Sequence, residues 1–356
     1  MRIHVVGAGP AGSIAAMSAL SAGHSVVVSE DHKVAGIPEN CSGLFSRDGL
    51  ESLPHLPDYR KFVIRPMHGA HLHFAGERIS VRKRSPVGFV CDRAALDQAL
   101  ASRAEGMGAE INYGERIRGA FHSENVIGAD GPLSSVARHF GFPSIKSYAA
   151  TLQAEVPYRS EDPDMVEVFL SKSRFPGFFA WIIPHDEYSA EFGAGVALPN
   201  RAQDAWNRLL KLKGIDGAPK PRGAVIPISV RPRTGRKCGK YNVLLAGDAA
   251  GQVKSTTGGG VIFGGSCASI AGRLAAEPLR YEFEWRMRHG PDLLLHKLVH
   301  DHVSSLSDEG ILSLGRRLKK LGCDSFLSSH GHMDRPTKML GPALLNHMVK
   351  NLIGVS

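Results

Sequence analysis

Ile3-His4-Val5-Val6-Gly7-Ala8-Gly9-Pro10-Ala11-Gly12 decides the fold. Its β-branched opening has the character of a strand buried in a parallel sheet. Gly7-x-Gly9-x-x-Gly12 follows at once, and the Ala-rich stretch 13–22 predicts a helix. The first glycine lets the chain turn. The second lets a pyrophosphate approach the backbone, and the third lets the helix pack on the strand. The helix N-terminus then offers free N–H groups and a positive dipole end to phosphates. Gly23 ends the helix, Val26-Val27-Val28 predicts a second strand, and Glu30 stands at its end. A carboxylate there accepts hydrogen bonds from a ribose diol and argues against a 2′-phosphate. NADP is thereby disfavoured, while FAD and NAD both remain open.

Two later segments complete the pattern. Asn125-Val126-Ile127-Gly128-Ala129-Asp130-Gly131 reads as a strand ending in a tight turn, with Pro132 opening a helix over 133–140. Tyr241 to Leu245 reads as another buried strand, closed by Gly247-Asp248. The small-residue run 258–276 predicts a helix with Gly258, Gly259 and Gly260 at its start. Asp248 at a strand end can bind a ribityl hydroxyl. A glycine-rich helix start can approach an aromatic ring system and stabilise negative charge on it. Aspartates in such places are also ordinary turn formers. In this order, the three segments predict a single FAD site and a flavoprotein oxidoreductase.

Four further stretches carry a resemblance: Pro38-Glu39-Asn40-Cys41-Ser42-Gly43, Asp92-Arg93-Ala94-Ala95-Leu96-Asp97, Phe179-Ala180-Trp181-Ile182-Ile183-Pro184 and Thr257-Gly258-Gly259-Gly260-Val261. With them the chain resembles the FAD flavoproteins that include p-hydroxybenzoate hydroxylase. Among those it is similar to the geranylgeranyl reductase family, including archaeal digeranylgeranylglycerophospholipid reductases. The match covers most of residues 1–285.

The resemblance implies an α/β fold: a Rossmann-like FAD-binding domain of the p-hydroxybenzoate hydroxylase type, an antiparallel-sheet substrate domain and a small helical C-terminal region. It implies FAD contacts from Ala11, Glu30, Cys41, Ser42, Gly43, Arg93, Ile117, Asp248, Gly260 and Val261, beside Gly7, Gly9, Gly12 and Gly259 of the glycine loops. Arg93 near a helix start is also suited to pair with a pyrophosphate. Asp97 is expected on an exposed helix face. Cys41, Phe179, Trp181 and Pro184 are the candidate substrate-cavity residues, and no residue is assigned as proton donor. The chain departs from the family pattern in three ways. Phe179 stands where many relatives have Tyr, the connection from Ile117 to Val126 is short enough that a hairpin of this fold is trimmed, and the C-terminal region is short.

Composition narrows the setting. A chain of 356 residues, 43% hydrophobic and 22% charged, is long enough for two domains and a large core. No run reaches the ~18 apolar residues needed to span a bilayer. No signal peptide is expected, because Met1 leads straight into a core strand. Cys41, Cys91, Cys238, Cys267 and Cys323 form no C-x-x-C pair, which suits a reducing cytoplasm. Cys41 reads equally as a packing residue and as a functional thiol that could pair with Cys267. The 17 histidines include His71-x-His73, His296-x-x-x-His300-x-His302 and His330-x-His332, but no acid or cysteine joins them in a recognised metal pattern, so no metal is expected. The net charge of +9 concentrates in 220–240 and 316–320. It reads as a basic solvated face, compatible with peripheral contact to an anionic membrane, and no nucleic-acid module is present.

The FAD domain is expected to be discontinuous, over 1–59, 85–144 and 225–285. Segments 60–84 and 145–224 alternate apolar and polar residues and are expected to form the substrate sheet. Residues 286–356 read as helices broken by Gly310, Gly322, Gly331, Pro336 and Gly341. Phe175, Phe178, Phe179, Trp181 and Ile183 would line the cavity or pack its back.

The resemblance implies FAD-dependent saturation of C=C bonds in geranylgeranyl chains, in isoprenoid or archaeal-type membrane-lipid biosynthesis. The substrate would be a prenyl lipid or prenyl diphosphate. The chain shows no second dinucleotide fingerprint, so a low-potential donor, ferredoxin or a reduced cofactor, would supply electrons. Two alternatives stand beside this reading: a flavin monooxygenase of the aromatic hydroxylase kind, and an electron-transfer flavoprotein dehydrogenase passing electrons to a quinone or partner protein.

Overall fold

The structure, a computed structural model, describes residues 1–339. The opening segment forms β1 (Arg2–Val6), α1 (Pro10–Ser21) and β2 (Ser25–Glu30). The proline at the first turn of α1 gives up an N–H that the helix could not use, and its fixed φ suits the helix start. The chain continues through β3 (Leu44–Ser46), α2 (Arg47–Ser52), β4 (Val63–Met67), β5 (Gly69–Phe74), β6 (Glu77–Arg82) and β7 (Gly88–Cys91). It returns through α3 (Arg93–Gly106), β8 (Glu110–Tyr113), β9 (Asn125–Gly128) and α4 (Ser135–His139). Next come β10 (Tyr148–Pro157), β11 (Met165–Leu170), β12 (Ala180–Pro184), β13 (Ser189–Ala197), α5 (Ala202–Lys213) and β14 (Arg222–Pro227). The last elements are β15 (Gly235–Cys238), β16 (Tyr241–Leu245), α6 (Val261–Arg273), α7 (Pro278–Ser305), α8 (Asp308–Lys320) and α9 (Cys323–His330).

The first sheet has six strands in the order β15-β16-β9-β1-β2-β8, parallel except for the β15–β16 pair. Its strands are apolar on both faces because helices cover both. Ile3, Val5, Val28 and Leu244 join Ile14, Phe263 and Ile270 in one core. Small residues let α1 and α6 approach closely: a Cβ on Gly272 would lie 2.3 Å from the Ala15 carbonyl oxygen. The strand order sets the C-terminal ends of β1, β9 and β16 side by side. Gly7, Asp130 and Asp248, far apart in sequence, therefore meet along one edge, where open α/β sheets bind ligands.

The second sheet has seven strands in the order β14-β10-β13-β12-β11-β5-β6. Every pairing is antiparallel except β5 with β11. Helix α5 covers its outer face, where Phe169, Phe192 and Trp206 pack together. A third, small sheet, β3-β7-β4, lies between the other two.

Several elements cross the borders expected from sequence. β4 pairs with β7 and not with the seven-stranded sheet, β14 runs past residue 225, and α7 begins before 286. Gly310 does not break a helix. It lies in the first turn of α8, where its N–H donates to Ser307 Oγ at 3.2 Å. Gly341 lies outside the described residues. The segment 114–124 forms no strand, as the trimmed connection predicts. Among the described residues, no helix is long and apolar enough to cross a membrane.

Candidate active site

The glycine loop is held from within. Gly7 has φ +99°, and its N–H donates to the Ser29 carbonyl at 2.8 Å. A Cβ on Gly7 would fall 2.5 Å from the Ala129 oxygen, and one on Gly12 would fall 1.8 Å from the Gly7 oxygen. Gly9 is different: a Cβ there meets nothing within 4 Å. The loop is thus packed tight behind and open at its middle glycine. α1 starts there with no side-chain cap, leaving the N–H groups of Ala11 and Gly12 free for an anion. Buried Glu30 braces the same loop, its Oε2 accepting from the Ala8 N–H at 2.7 Å. Its Oε1 accepts from the His32 N–H at 3.0 Å.

Asp248 follows β16 in a single 3-10 turn. Burial pushes its carboxyl up to about 6, with Arg93 pulling the other way. Among the described residues, no donor reaches this carboxylate, as befits an acceptor for a ribityl hydroxyl. Gly260 packs directly on it: a Cβ there would lie 2.6 Å from Asp248 Oδ1. Val261 opens α6, which also has no side-chain cap. Gly258, at φ +71°, abuts the seven-stranded sheet, where an added Cβ would meet Ile226 and Phe178 at 3.1 and 3.2 Å. Two uncapped helix starts, an open glycine and a carboxylate without a donor among the described residues therefore gather at neighbouring strand ends of the first sheet. These features fit a dinucleotide with an attached ring system.

Asp97 corrects an expectation. It is buried, not exposed, and Arg93 grips it with two hydrogen bonds, Nε to Oδ1 at 2.7 Å and Nη2 to Oδ2 at 2.9 Å. Burial pushes the Asp97 carboxyl up and Arg93 pulls it back. Burial also opposes the Arg93 charge, but Asp97 and Cys41 outweigh it and hold the guanidinium charged. The Arg93 guanidinium thus lies with Asp97 and Cys41, and its charge reaches the Asp248 carboxyl.

Cys41 is free and sits beside Arg93, with Cys91 nearby. The expected partner Cys267 is fully buried among the core residues of α6, and both thiols are unpaired. Burial pushes the Cys91 thiol up to about 12. The loop holding Ser42 is pinned at Gly43, where a Cβ would lie 2.2 Å from the Cys91 oxygen. Ile117 packs into a core with Val6, Val126 and Val243. Asp130 proves to be a turn former: its carboxylate accepts from the Ser135 and Val136 N–H groups at 2.7 and 3.0 Å and so fixes the start of α4.

On the inner face of the seven-stranded sheet, Phe178, Phe179, Trp181 and Ile183 form a wall with Met67, Val90 and Ile228. Phe179 stacks tilted against Phe178 and Trp181, with centroids 4.4 and 5.5 Å apart. Pro184 corrects an expectation: paired with Ala190 and alternating with Ile183, it falls on the opposite face, toward the core under α5, and not on the wall. Phe175 faces the other way, into the core under α5.

Two polar features carried no sequence signal. Lys254 Nζ, buried, reaches Asp334 Oδ1 at 2.5 Å, and the Ser46 hydroxyl bonds the same carboxylate. Burial pushes Asp334 up, but Lys254 and Ser46 together bring it below the usual carboxylate range. The Lys254 stem lies against Gly259, so this pair braces the glycine loop ahead of α6. The second feature is Glu191, whose Oε1 accepts from Trp181 Nε1 at 3.3 Å. The histidine pairs point to separate partners: His71 to Ser80, His73 to Glu167, His296 to Thr256 and His300 to the Gly177 carbonyl.

The family described as an FAD binding domain matches residues 76–275. The chain is 30% identical over 308 residues to a digeranylgeranylglycerophospholipid reductase of Methanopyrus kandleri, covering 77% of this chain and 80% of that protein. It is 29% identical over 359 residues to a digeranylgeranylglycerophospholipid reductase of Methanothermobacter thermautotrophicus, covering 88% and 91%. The crystal structure of a geranylgeranyl bacteriochlorophyll reductase-like protein from Thermoplasma acidophilum matches with a TM-score of 0.82 at 20% identity, over 100% of this chain and 99% of that one.

Proposed function

We propose that this chain, which belongs to the FAD-binding-domain family and within it to the digeranylgeranylglycerophospholipid reductases, saturates C=C bonds of geranylgeranyl chains in archaeal-type membrane-lipid synthesis. One observation supports this most directly: Gly258, at the ring-binding helix start, touches the apolar wall through Phe178 and Ile226. A flavin held at that helix would face an aromatic surface suited to a hydrocarbon.

When bound and reduced, FAD supplies the hydride. The chain supplies the rest. Gly9 and the free N–H groups of α1 would receive the pyrophosphate, Glu30 the ribose diol and Asp248 the ribityl chain. Arg93, fixed by Asp97, adds a positive charge on the same side of the cleft. The uncapped N-terminus of α6 would present its positive dipole end to the ring. An isolated alkene has no carbonyl to polarise, so the wall must act by placing the bond and excluding water. Phe179 packs and has no phenol to give a proton.

The electron donor in this reading is ferredoxin or a reduced cofactor that docks from outside. Membrane contact falls to α7, where Leu279, Phe283, Met287 and Leu294 stand exposed at helical spacing beside Arg280 and Arg288. The test is anaerobic: dithionite-reduced holoenzyme, a digeranylgeranylglycerophospholipid, and mass spectrometry for a gain of two hydrogens per bond. Flavin that stays reduced with no mass gain would favour electron transfer to a partner. NADPH-driven oxygen uptake with a phenol would favour a monooxygenase.

A further inference from the structure

Alkene reduction needs a proton for the second carbon, and the inner sheet face holds a carboxyl placed to give it. Along β13, Ala190, Phe192 and Ala194 face the core under α5, so Glu191, Gly193 and Gly195 face inward. Register sets Glu191 beside Ile183 and Gly193 beside Trp181. The Glu191 side chain, 4% exposed, therefore shares the wall with Phe179, Trp181 and Ile183. The Trp181 ring lies over Gly193, where a Cβ would fall 2.0 Å from its Cε2, and its N–H holds the carboxyl. Gln153, also buried and paired in register with Gly193, has an Nε2 with no partner among the described residues. At the outer edge Arg222 lies 3.8 Å from Glu191 and 3.9 Å from Glu39. Glu39 belongs to the loop that carries Cys41. A polar end of an apolar wall thus abuts the Cys41 loop and opens toward solvent at half-exposed Arg222.

We propose that Glu191 is the proton donor of the alkene reduction, an inference that rests on the reductase reading above. As a hydride with its electron pair joins one alkene carbon, the π pair takes the proton from the Glu191 carboxyl and forms the second C–H bond. The O–H bonding pair stays on Glu191, which becomes a carboxylate. The two electrons come from the reduced flavin, and water at the Arg222 edge returns the proton.

Burial raises the Glu191 carboxyl to about 7, against the Trp181 hydrogen bond and Arg222, while Glu39 and Glu155 push it up further. The carboxyl then keeps a transferable proton in the neutral range, where a general acid is most effective.

E191Q tests this in the FAD-loaded enzyme. Flavin content, visible spectrum and dithionite reduction should match wild type, while single-turnover saturation falls by about 100-fold or more. E191D should recover part of the rate. Infrared difference spectra of wild type against E191Q should show a protonated carboxyl that ionises near neutral pH. Active wild type with an equally active E191Q, or a Glu191 ionised throughout, would overturn the assignment alone. Wild type that saturates no prenyl substrate would overturn the reductase reading itself.

Discussion

The strand-end loops of the parallel sheet and the inner face of the seven-stranded sheet meet at Gly258, yet they are built from different materials. Around the Gly7–Gly12 loop, backbone packs on backbone, and nearby Arg93 is fixed by Asp97 one helical turn away. On the sheet face, side chains from several strands build the surface, and glycines such as Gly193 only make room for them. The first region should fail when a single methyl is added. The second should tolerate methyls outside the wall but change its chemistry when one polar group is altered.

The largest effect should separate two glycines of the loop. Gly12→Val places carbon against the Gly7 carbonyl, where no flexible side chain can yield, so soluble holoenzyme should be lost. Gly9→Ala has room in the protein and should leave a folded chain, with a normal thermal transition and greatly reduced flavin. Equal folding of the two variants would break the comparison.

Asp97→Ala comes next. It leaves a buried guanidinium without its partner and should cost ~3–5 kcal/mol in denaturant melts. Asp92→Ala, which removes only the cap of α3, should cost about 1 kcal/mol. Similar losses for both would return Arg93 to a loosely held cation.

Glu30→Ala and Asp248→Ala should weaken FAD binding by ~1.5–3 kcal/mol each, read by flavin titration of the apoprotein. Trp181→Phe, which removes a donor from the sheet face only, should leave that affinity unchanged. Loss of flavin from the Trp181 variant would show that the two regions are not separable.

The smallest effect is in the pH dependence of stability. Glu191 titrates near 7 in the fold and at 4.5 in a free chain, so between those values the native state binds more protons than the unfolded state. Its contribution to stability therefore falls as pH rises through that window. His289 and His296, lowered to about 4 mainly by burial, act in the opposite sense: stability falls as pH drops from 6.5. Melts from pH 4 to 8 should show E191Q gaining on wild type toward the alkaline side. An E191Q curve parallel to wild type throughout would place an ionised carboxylate at Glu191.

These contrasts also explain what could be read in the chain. The strand, glycine loop, helix and acid of β1 to β2 are contiguous, and every constraint on them acts within about thirty residues. The Asp248 and Gly260 segments are legible for the same reason. Asp130 is less legible: Ser134 and Ser135, two and three positions past Pro132, signal a capped helix start, which claims the carboxylate. Gly310 reads as a breaker by residue type alone, but Ser307 three residues earlier caps α8 and makes Gly310 a first-turn residue. Arg93 and Asp97 have the i,i+4 spacing of a helix pair, but sequence alone does not say which face of α3 is covered. Glu191 was invisible because both faces of β13 are buried, so alternation does not distinguish them. Lys254 and Asp334 are joined only by the fold.

That last pair has a consequence for the order in which the molecule is made. Lys254 is synthesised with Gly258, Gly259 and Gly260, but its counter-ion Asp334 emerges from the ribosome some eighty residues later. Until then the buried ammonium has no compensating charge, and the helix start behind Gly259 lacks its brace. Nascent chains arrested before Asp334 should therefore hold the first βαβ unit in place while the ring-binding end stays loose. Cofactor capture is then expected only after Asp334 has emerged, and a chain clipped ahead of Asp334 should lose it without losing any of the candidate FAD-contacting residues.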